Sequence, residues 1–308
     1  MIGYCIGAYV PPGQTRRLVR RLLHDDPTGQ VVLHLDQRQA RFDVGELAGP
    51  RLTLVAERPV HWGGFDQVQL LIDMMRIATE QLHCSYVVLI SAQDYPLCHV
   101  GGLERELARF DVWADIRPLV RDGVVMWPEA MRRYSYRWWC LSEAGRLLFA
   151  LDRRVAPKIP GVHWSRRDPP LPRLVHFHQR DQLWWGVLRP DGLGMPIYTG
   201  SSWMSLSARA VATVLAAPRP VMSFFRHVPI AGEACFQTIL GNAGGLSFAP
   251  GNGRFIRWEG KDSPDILTAG DLPALAGSGA HFARKFDEEL DGTVLDRLDE
   301  RLDGAQAG

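Results

Sequence analysis

Residues 2–10 form a short apolar run closed by Pro11-Pro12-Gly13. A run of that length, ended by proline and glycine, predicts a buried strand. The next stretch, "QTRRLVRRLLHDD", has apolar residues at 18, 19, 22 and 23, the spacing of one helical face. "QVVLHLDQR" predicts a second strand ending in Asp36, and "RLTLVAE" a third. Residues 66–83 predict a helix with Val68, Leu71, Ile72, Met75 and Ile77-Ala78 facing inward. "SYVVLISAQD" predicts a fourth strand, apolar on both faces. Strand and helix alternate in this way over roughly the first 100 residues, the pattern of an open, mostly parallel α/β sheet.

The periodicity then changes. Residues 101–110 predict a helix, but residues 111–195 are rich in Arg, Trp and Pro, as in "MRRYSYRWW" and "KIPGVHWSRRDPPLPRL". That stretch is too apolar and aromatic for a disordered linker, and predicts an insert of loops and helices beside the sheet. Downstream, "YTGSSWMSLSARAVATVLAA" predicts a short strand, a turn and a helix. "GEACFQTILGNAG" predicts a further helix, "GRFIRWEG" a strand, and "AHFARKFDEELDGTVLDRLDERL" a loop leading into an acidic amphipathic helix. There is no internal repeat and no Gly/Ser linker, so residues 1–308 are read as one domain.

Composition narrows the classes. The chain has 35 basic and 34 acidic residues, a net charge of +1. A nucleic-acid binder would carry a basic excess or stripe. The five cysteines form no C-x-x-C pair, which removes zinc ribbons and redox motifs and fits a reducing compartment. No apolar run reaches about 18 residues and no leader pattern precedes the first strand. The expected location is cytoplasmic, with peripheral membrane attachment left open. His176-x-His178, near His163, would suit a metal if a third ligand had convincing spacing; none does, and the stretch is read as surface. No metal and no cofactor are expected.

In open α/β sheets ligands bind outside the carboxyl ends of the strands. Asp36 and Asp94 both lie at such ends. Each has an alternative reading as a turn or helix-capping residue, and the residues alone leave the two readings balanced. His61-Trp62-Gly63-Gly64 precedes the second long helix, where the glycines permit positive φ and close backbone approach.

Six segments, in order, carry a resemblance: "VVLHLDQR", "VHWGGFDQVQ", "YVVLISAQDYPL", "GSSWMSLS", "AGEACFQTIL" and "HFARKFD". With them the sequence resembles the core-2/I-branching enzyme and peptide O-xylosyltransferase family of inverting glycosyltransferases, glycosyltransferase family 14. The segments span residues 31–287, and the middle third matches poorly. Arginine far outnumbers lysine, as in GC-rich bacterial genomes, so a bacterial member is expected. The resemblance implies a glycosyltransferase type A fold, α/β and Rossmann-like with a mostly parallel central sheet. It divides the domain into a nucleotide-binding half (1–110), a variable insert (111–195) and an acceptor and catalytic half (196–308). It implies sugar transfer from a UDP donor with inversion, GlcNAc or xylose being the family's main donors. The expected partners are therefore a nucleotide-sugar donor and a carbohydrate, lipid-linked or small-molecule acceptor, with no nucleic acid and no transmembrane segment.

Inverting transfer needs a base for the acceptor hydroxyl and a counter-charge for the departing diphosphate. No D-x-D motif stands at the end of "YVVLIS", which reads Ala92-Gln93-Asp94. The resembling family is metal-independent and uses basic side chains. By family position Lys285 is a phosphate-binding lysine, with Arg284 beside it; a lysine can neutralise a phosphate as a point charge. Phe282 and Phe286 bracket the pair and are expected to pin its loop to the core. A second basic residue is expected at Arg257 or Lys261. Glu233 matches the catalytic base, and its expected place opens a helix. Asp36 and the strand end near Val10 are expected to hold the uridine. Asp94 is expected to meet donor hydroxyls or to position a nearby arginine. Ser202 and Trp203 are expected at the donor sugar, and Trp258 at the acceptor. Two other readings remain open: a nucleotide-sugar-binding module without turnover, and a glycoside hydrolase using Asp94 and Glu233 as a carboxylate pair.

Overall fold

The first apolar run forms β1 (Ile2–Ala8), and helix α1 (Pro12–Asp25) starts on the proline that ends the run. Proline suits a first helical turn, because its missing N–H would have no partner there in any case. β2 (Gln30–Leu35) and β3 (Leu52–Leu54) follow, then α2 (Phe65–Arg76), β4 (Tyr86–Ser91), β5 (Asp94–Pro96), the short α3 (Leu103–Leu107) and β6 (Val112–Trp113). The region beyond contains four two-residue strands: β7 (Arg117–Pro118), β8 (Val120–Arg121), β9 (Val124–Val125) and, later, β13 (Tyr198–Thr199). Between them lie β10 (Tyr136–Cys140), β11 (Arg173–Phe177) and β12 (Gln182–Leu188). The chain continues with β14 (Ser205–Ser207), α4 (Ala208–Leu215), α5 (Arg219–Phe225), α6 (Cys235–Gly241), β15 (Arg254–Ile256), α7 (Leu272–Gly277), β16 (Phe282–Arg284), α8 (Glu288–Asp291) and α9 (Thr293–Gly304). The computed structural model describes residues 1–9, 12–36, 45–56, 58–126, 133–140, 173–177, 182–259 and 263–304, with the backbone alone at 46, 173–177 and 182–183. Val10, Lys261, His163 and His178 lie outside the described residues.

The central sheet has the order β3-β2-β1-β4-β14-β6. Its first four strands are parallel; β14 pairs antiparallel with β4, and β6 antiparallel with β14. The sheet is therefore mixed. β14 was not legible as a strand, because it is three residues long and runs straight into α4, whose N-cap is its last residue, Ser207. A second sheet, β15-β16-β5, stands at the end of the first.

Side chains alternate between the two faces of a strand, and the two cores follow from that. From the central strands Cys5, Val32, Val87 and Leu89 enter one core with Val68, Leu71 and Met75 of α2, Val211 of α4 and Phe236 of α6. Tyr4, Ile6, Val31, Leu33, Val88 and Ile90 enter the other with Leu18 and Leu22 of α1 and Leu295 and Leu298 of α9. The fold is a single compact domain whose central mixed sheet is flanked by helices on both faces.

Three expectations differ. The 111–195 insert, expected as loops and helices, carries the strands β6–β12 among its described residues. "SYVVLISAQD" is two strands, not one: β4 stops at Ser91, and Asp94 opens β5 in the second sheet. The Asp94 carboxylate bends the chain there, accepting from the Ser91 N–H (2.8 Å) and the Ser91 Oγ–H (2.5 Å). The helix expected from "GEACFQTILGNAG" begins only at Cys235, and Glu233 sits in a separate 3₁₀ turn, Ala231–Glu233.

Candidate functional site

The site is built on the carboxyl ends of β1, β2 and β4. Ala8 pairs with Leu35, and Gly7 with Ser91, so three parallel strands end side by side. Asp36 follows directly; its N–H donates to the Ala8 carbonyl at 3.1 Å, and the residue is buried. Beyond β4, Ala92 N–H donates to Gly7 O at 3.2 Å, which holds the Ala92–Asp94 turn against β1. Gln14 in the first turn of α1 completes this edge. It is 1% exposed, donates to the carbonyls of Ala92 (2.8 Å) and Phe286 (3.0 Å), and accepts from the Glu288 N–H. A buried glutamine thus ties the ends of β1, β4 and β16 together; nothing in its local sequence marked it.

Asp94 is fully buried. In the antiparallel pairing of β5 with β16 it stands opposite Arg284, whose Nη1 lies 3.9 Å from Asp94 Oδ2. A second buried arginine, Arg254 of β15, approaches the same carboxylate. Burial lowers its pKa to about 10, Asp94 opposing and Arg284 reinforcing that shift. Arg254 is held by the carbonyl of Asn252 (2.8 Å) and Ser205 Oγ (3.1 Å). The sequence does not single it out, because "GRFIRW" offers two arginines and nothing in the pattern chooses between them. Asp94 Oδ1 and the Nε and Nη1 of Arg284 have no hydrogen-bond partner among the described residues. Buried polar atoms are ordinarily bonded, so this pair keeps spare donors and one spare acceptor.

Arg284 also places its guanidinium 4.6 Å from the Trp203 ring centre. Trp203 belongs to the Gly200–Trp203 loop, which is fixed to the Glu233 turn. Gly200 N–H donates to Glu233 O at 2.9 Å, and Gln237 of α6 donates to Ser201 O at 2.7 Å. Gly200 is required there, since a Cβ would land on the Asp115 carbonyl oxygen. Ser202 is buried against Gly232, where an added Cβ would come within 2.8 Å of its Oγ. Asp94, Arg284, Trp203, Ser202 and Glu233 therefore form a connected set.

The Glu233 turn has unusual backbone. Ile230 adopts φ +56° and ψ 42°, the left-handed region, which is strained for a β-branched residue. Ile230 N–H donates to Gly63 O at 2.7 Å, and Gly63 itself has φ +72°. The His61-Trp62-Gly63-Gly64 turn therefore supports the turn that carries Glu233, as well as leading into α2. The Glu233 side chain is 47% exposed and pairs with Arg133, Nη1 to Oε2 3.0 Å. Beside them Tyr134 is buried, which raises its phenol to about 12. Arg133 was missed because "MRRYSYRWW" has no helical or strand period to single it out.

The basic residues divide. Lys285 is half-buried, its Nζ 3.5 Å from Ser263 Oγ, and its carbonyl accepts from Leu267 N–H. Phe282 and Phe286 on either side are fully buried, and Phe286 N–H donates to Gln93 O at 2.8 Å. Arg257 is ringed by carboxylates: it pairs with Asp271 and lies 3.5 Å from Glu259 and 4.0 Å from Asp265. Trp258 is 56% exposed. Among the described residues no group of three His, Cys, Asp or Glu side chains is arranged to hold a metal ion, and no helix is long and apolar enough to cross a membrane.

No protein-family model matches the chain. It is similar to the β-glucuronosyltransferase GlcAT14B of Arabidopsis thaliana, 24% identical over 330 residues, covering 98% of this chain and 66% of that protein. It is also similar to the β-glucuronosyltransferase GlcAT14A of the same plant, 32% identical over 149 residues, covering 45% of this chain and 33% of that one. The chain thus spans less than two thirds of the length of either relative. A solved structure, S. aureus TarS 1-349, matches 36% of this chain and 34% of its own, with 12% identity and a TM-score of 0.23. The two plant relatives make the chain a distant homologue of β-glucuronosyltransferases.

Proposed function

We propose that the chain is an inverting, metal-independent glycosyltransferase of the type A fold, moving a sugar from a UDP donor to an acceptor hydroxyl. The observation that carries this reading is the connected set at the sheet edge: Asp36 and Asp94 beyond the strand ends, Arg284 against Asp94 and Trp203, and Glu233 joined to the Trp203 loop. That edge is where α/β sheets bind ligands.

Asp36 accepts from the uracil ring of the donor, and the chain near Val10 lies against the uridine. Lys285 meets the diphosphate, with Arg284 supplying its unused N–H groups to the phosphate or the donor sugar. Asp94 positions Arg284 and Arg254; at 0% exposure it is placed to hold arginines and not to activate a water. Ser202 and Trp203 line the donor sugar, and Trp258 offers an acceptor platform. Arg257, surrounded by carboxylates, is the weaker partner for a phosphate, and Lys261 is the alternative.

In the reaction Glu233 takes the proton of the acceptor hydroxyl. The acceptor oxygen bonds to the anomeric carbon as the bond from that carbon to the diphosphate oxygen breaks, and the electron pair leaves with UDP. Arg133 orients the Glu233 carboxylate toward the acceptor. The names of the two relatives add a glucuronosyl donor to GlcNAc and xylose.

The test is product analysis with UDP-glucuronic acid, UDP-GlcNAc and UDP-xylose in EDTA, with a panel of sugar acceptors. Release of UDP coupled to a β-linked product supports the reading. Release of free sugar alone from every donor would make the protein a hydrolase.

A further inference from the structure

We propose that Gln67, in the first turn of α2, recognises a ring hydroxyl of the donor sugar. This rests on the glycosyltransferase reading and adds to it a residue that discriminates among donors. The starting observation is a polar side chain on an apolar stripe. Residues three, four and seven apart share one face of a helix. Counted from Gln67 these are Leu70, Leu71 and Met74, which are 4%, 2% and 0% exposed. Gln67 therefore continues the core-facing stripe of α2 to its first turn, where the side chain stands half-buried.

The helix itself does not use this amide. Asp66 serves the helix start: its Oδ1 accepts from the Gln67 backbone N–H at 3.0 Å, and its Oδ2 lies 2.7 Å from both the backbone nitrogen and the Nδ1 of His61. Gln69, two residues on, donates its own amide to Asp73 at 3.1 Å. The side-chain amide of Gln67 has no hydrogen-bond partner among the described residues.

Gln67 borders the turn that carries Glu233. A Cβ on Gly232 would stand 2.8 Å from Ser202 Oγ and 4.0 Å from Gln67 Oε1. Gly232 is buried and directly precedes Glu233. Its missing side chain leaves a gap bordered by the Ser202 hydroxyl and the Gln67 amide, and Ser202 Oγ also has no hydrogen-bond partner among the described residues. An amide offers both donors and an acceptor, and a hydroxyl both donates and accepts. The gap therefore suits a sugar hydroxyl; a phosphate or carboxylate would leave the amide oxygen unmatched. Beside Ser202 and the Glu233 turn, Gln67 meets the sugar of the donor and not its uridine, which is assigned to Asp36.

The test is calorimetric titration in EDTA with UDP, UDP-glucuronic acid, UDP-GlcNAc and UDP-xylose, on the unmodified chain, Gln67→Ala and Gln67→Met. Gln67→Ala should weaken the best-bound donor by about fivefold, the loss of one hydrogen bond, and leave UDP affinity within about twofold. Gln67→Met keeps the length of the side chain without the amide and should lose as much; it stands alone should the alanine variant fail to fold. Full donor affinity in Gln67→Met would mean that the side chain packs and does not recognise, and would overturn the inference. So would donor affinity unchanged in both variants, an equal loss for UDP, or an unmodified chain that binds UDP but none of the three donors; each of these leaves the UDP site standing. Absence of UDP binding by the unmodified chain would instead defeat the glycosyltransferase reading, and this inference with it.

Discussion

Arg284 and Asp94 face each other across the β16–β5 pairing, guanidinium 3.9 Å from carboxylate, both buried beneath the mouth of the central sheet. Arg254, also buried, feels the charge of the same carboxylate. Removing the only buried acid of this trio leaves two buried cations without their counter-charge. Asp94→Asn should destabilise the fold by about 3–5 kcal/mol, the usual cost of breaking a buried pair. Urea unfolding measures it. A loss below about 1 kcal/mol, the level of an exposed pair, would mean the trio is not buried as described.

Glu233→Gln keeps the shape of the side chain and removes its proton-accepting ability. UDP-sugar binding should be retained, and transfer should fall by roughly 10²–10⁴-fold, the range of general acid–base catalysis. Arg133→Ala should lower kcat while leaving UDP affinity in place, since Arg133 meets Glu233 (3.0 Å) on a loop separate from Lys285. Unchanged turnover in Glu233→Gln would remove Glu233 from the mechanism.

Lys285→Ala takes a point charge from the proposed diphosphate site. UDP affinity in EDTA should drop by about 10–100-fold, in line with one charge-assisted contact, and kcat should fall with it. UDP affinity equal to that of the unmodified chain would place Lys285 elsewhere.

Buried His281 sets a pH dependence of stability. Burial lowers its pKa, the Glu106 carboxylate 3.0 Å away acts in the opposite sense, and Arg254 adds to the lowering. The folded state therefore holds the ring neutral, while the unfolded chain binds a proton below about pH 6.5. Stability is full above that pH and falls as pH drops through it toward the lowered folded pKa. His227 shifts in the same direction, through burial and the neighbouring arginines. Melting temperatures recorded between neutral and mildly acidic pH should decline, and His281→Gln should decline less steeply. Parallel curves for the two proteins would contradict the assignment.

Much of the sheet was legible because its strands are buried on both faces: "GYCIGA", "VVLHL" and "YVVLI" are apolar runs that can hardly be anything else. The helices α1, α2 and α9 showed their faces in the same way. What failed was short or tertiary. β14 and β5 span three residues each, too few to carry a period. The break between β4 and β5 depends on one side chain, Asp94, bonding back to Ser91, and a sequence shows the aspartate without showing which way it turns. Gln14, Arg133 and Arg254 acquire their positions only when segments up to 274 residues apart meet, as Gln14 meets Glu288. The strained Ile230 is equally silent, since nothing about an isoleucine announces a positive φ.

In the proposed UDP-sugar site basic side chains meet the diphosphate. The most direct measurement is calorimetric titration of the chain with UDP, UDP-glucuronic acid, UDP-GlcNAc and UDP-xylose, first in EDTA and then with Mn²⁺. Saturable binding in EDTA is expected, weakened by Lys285→Ala and little changed by the metal. Binding that appears only with Mn²⁺, or none to UDP or to any of the donors, would contradict it.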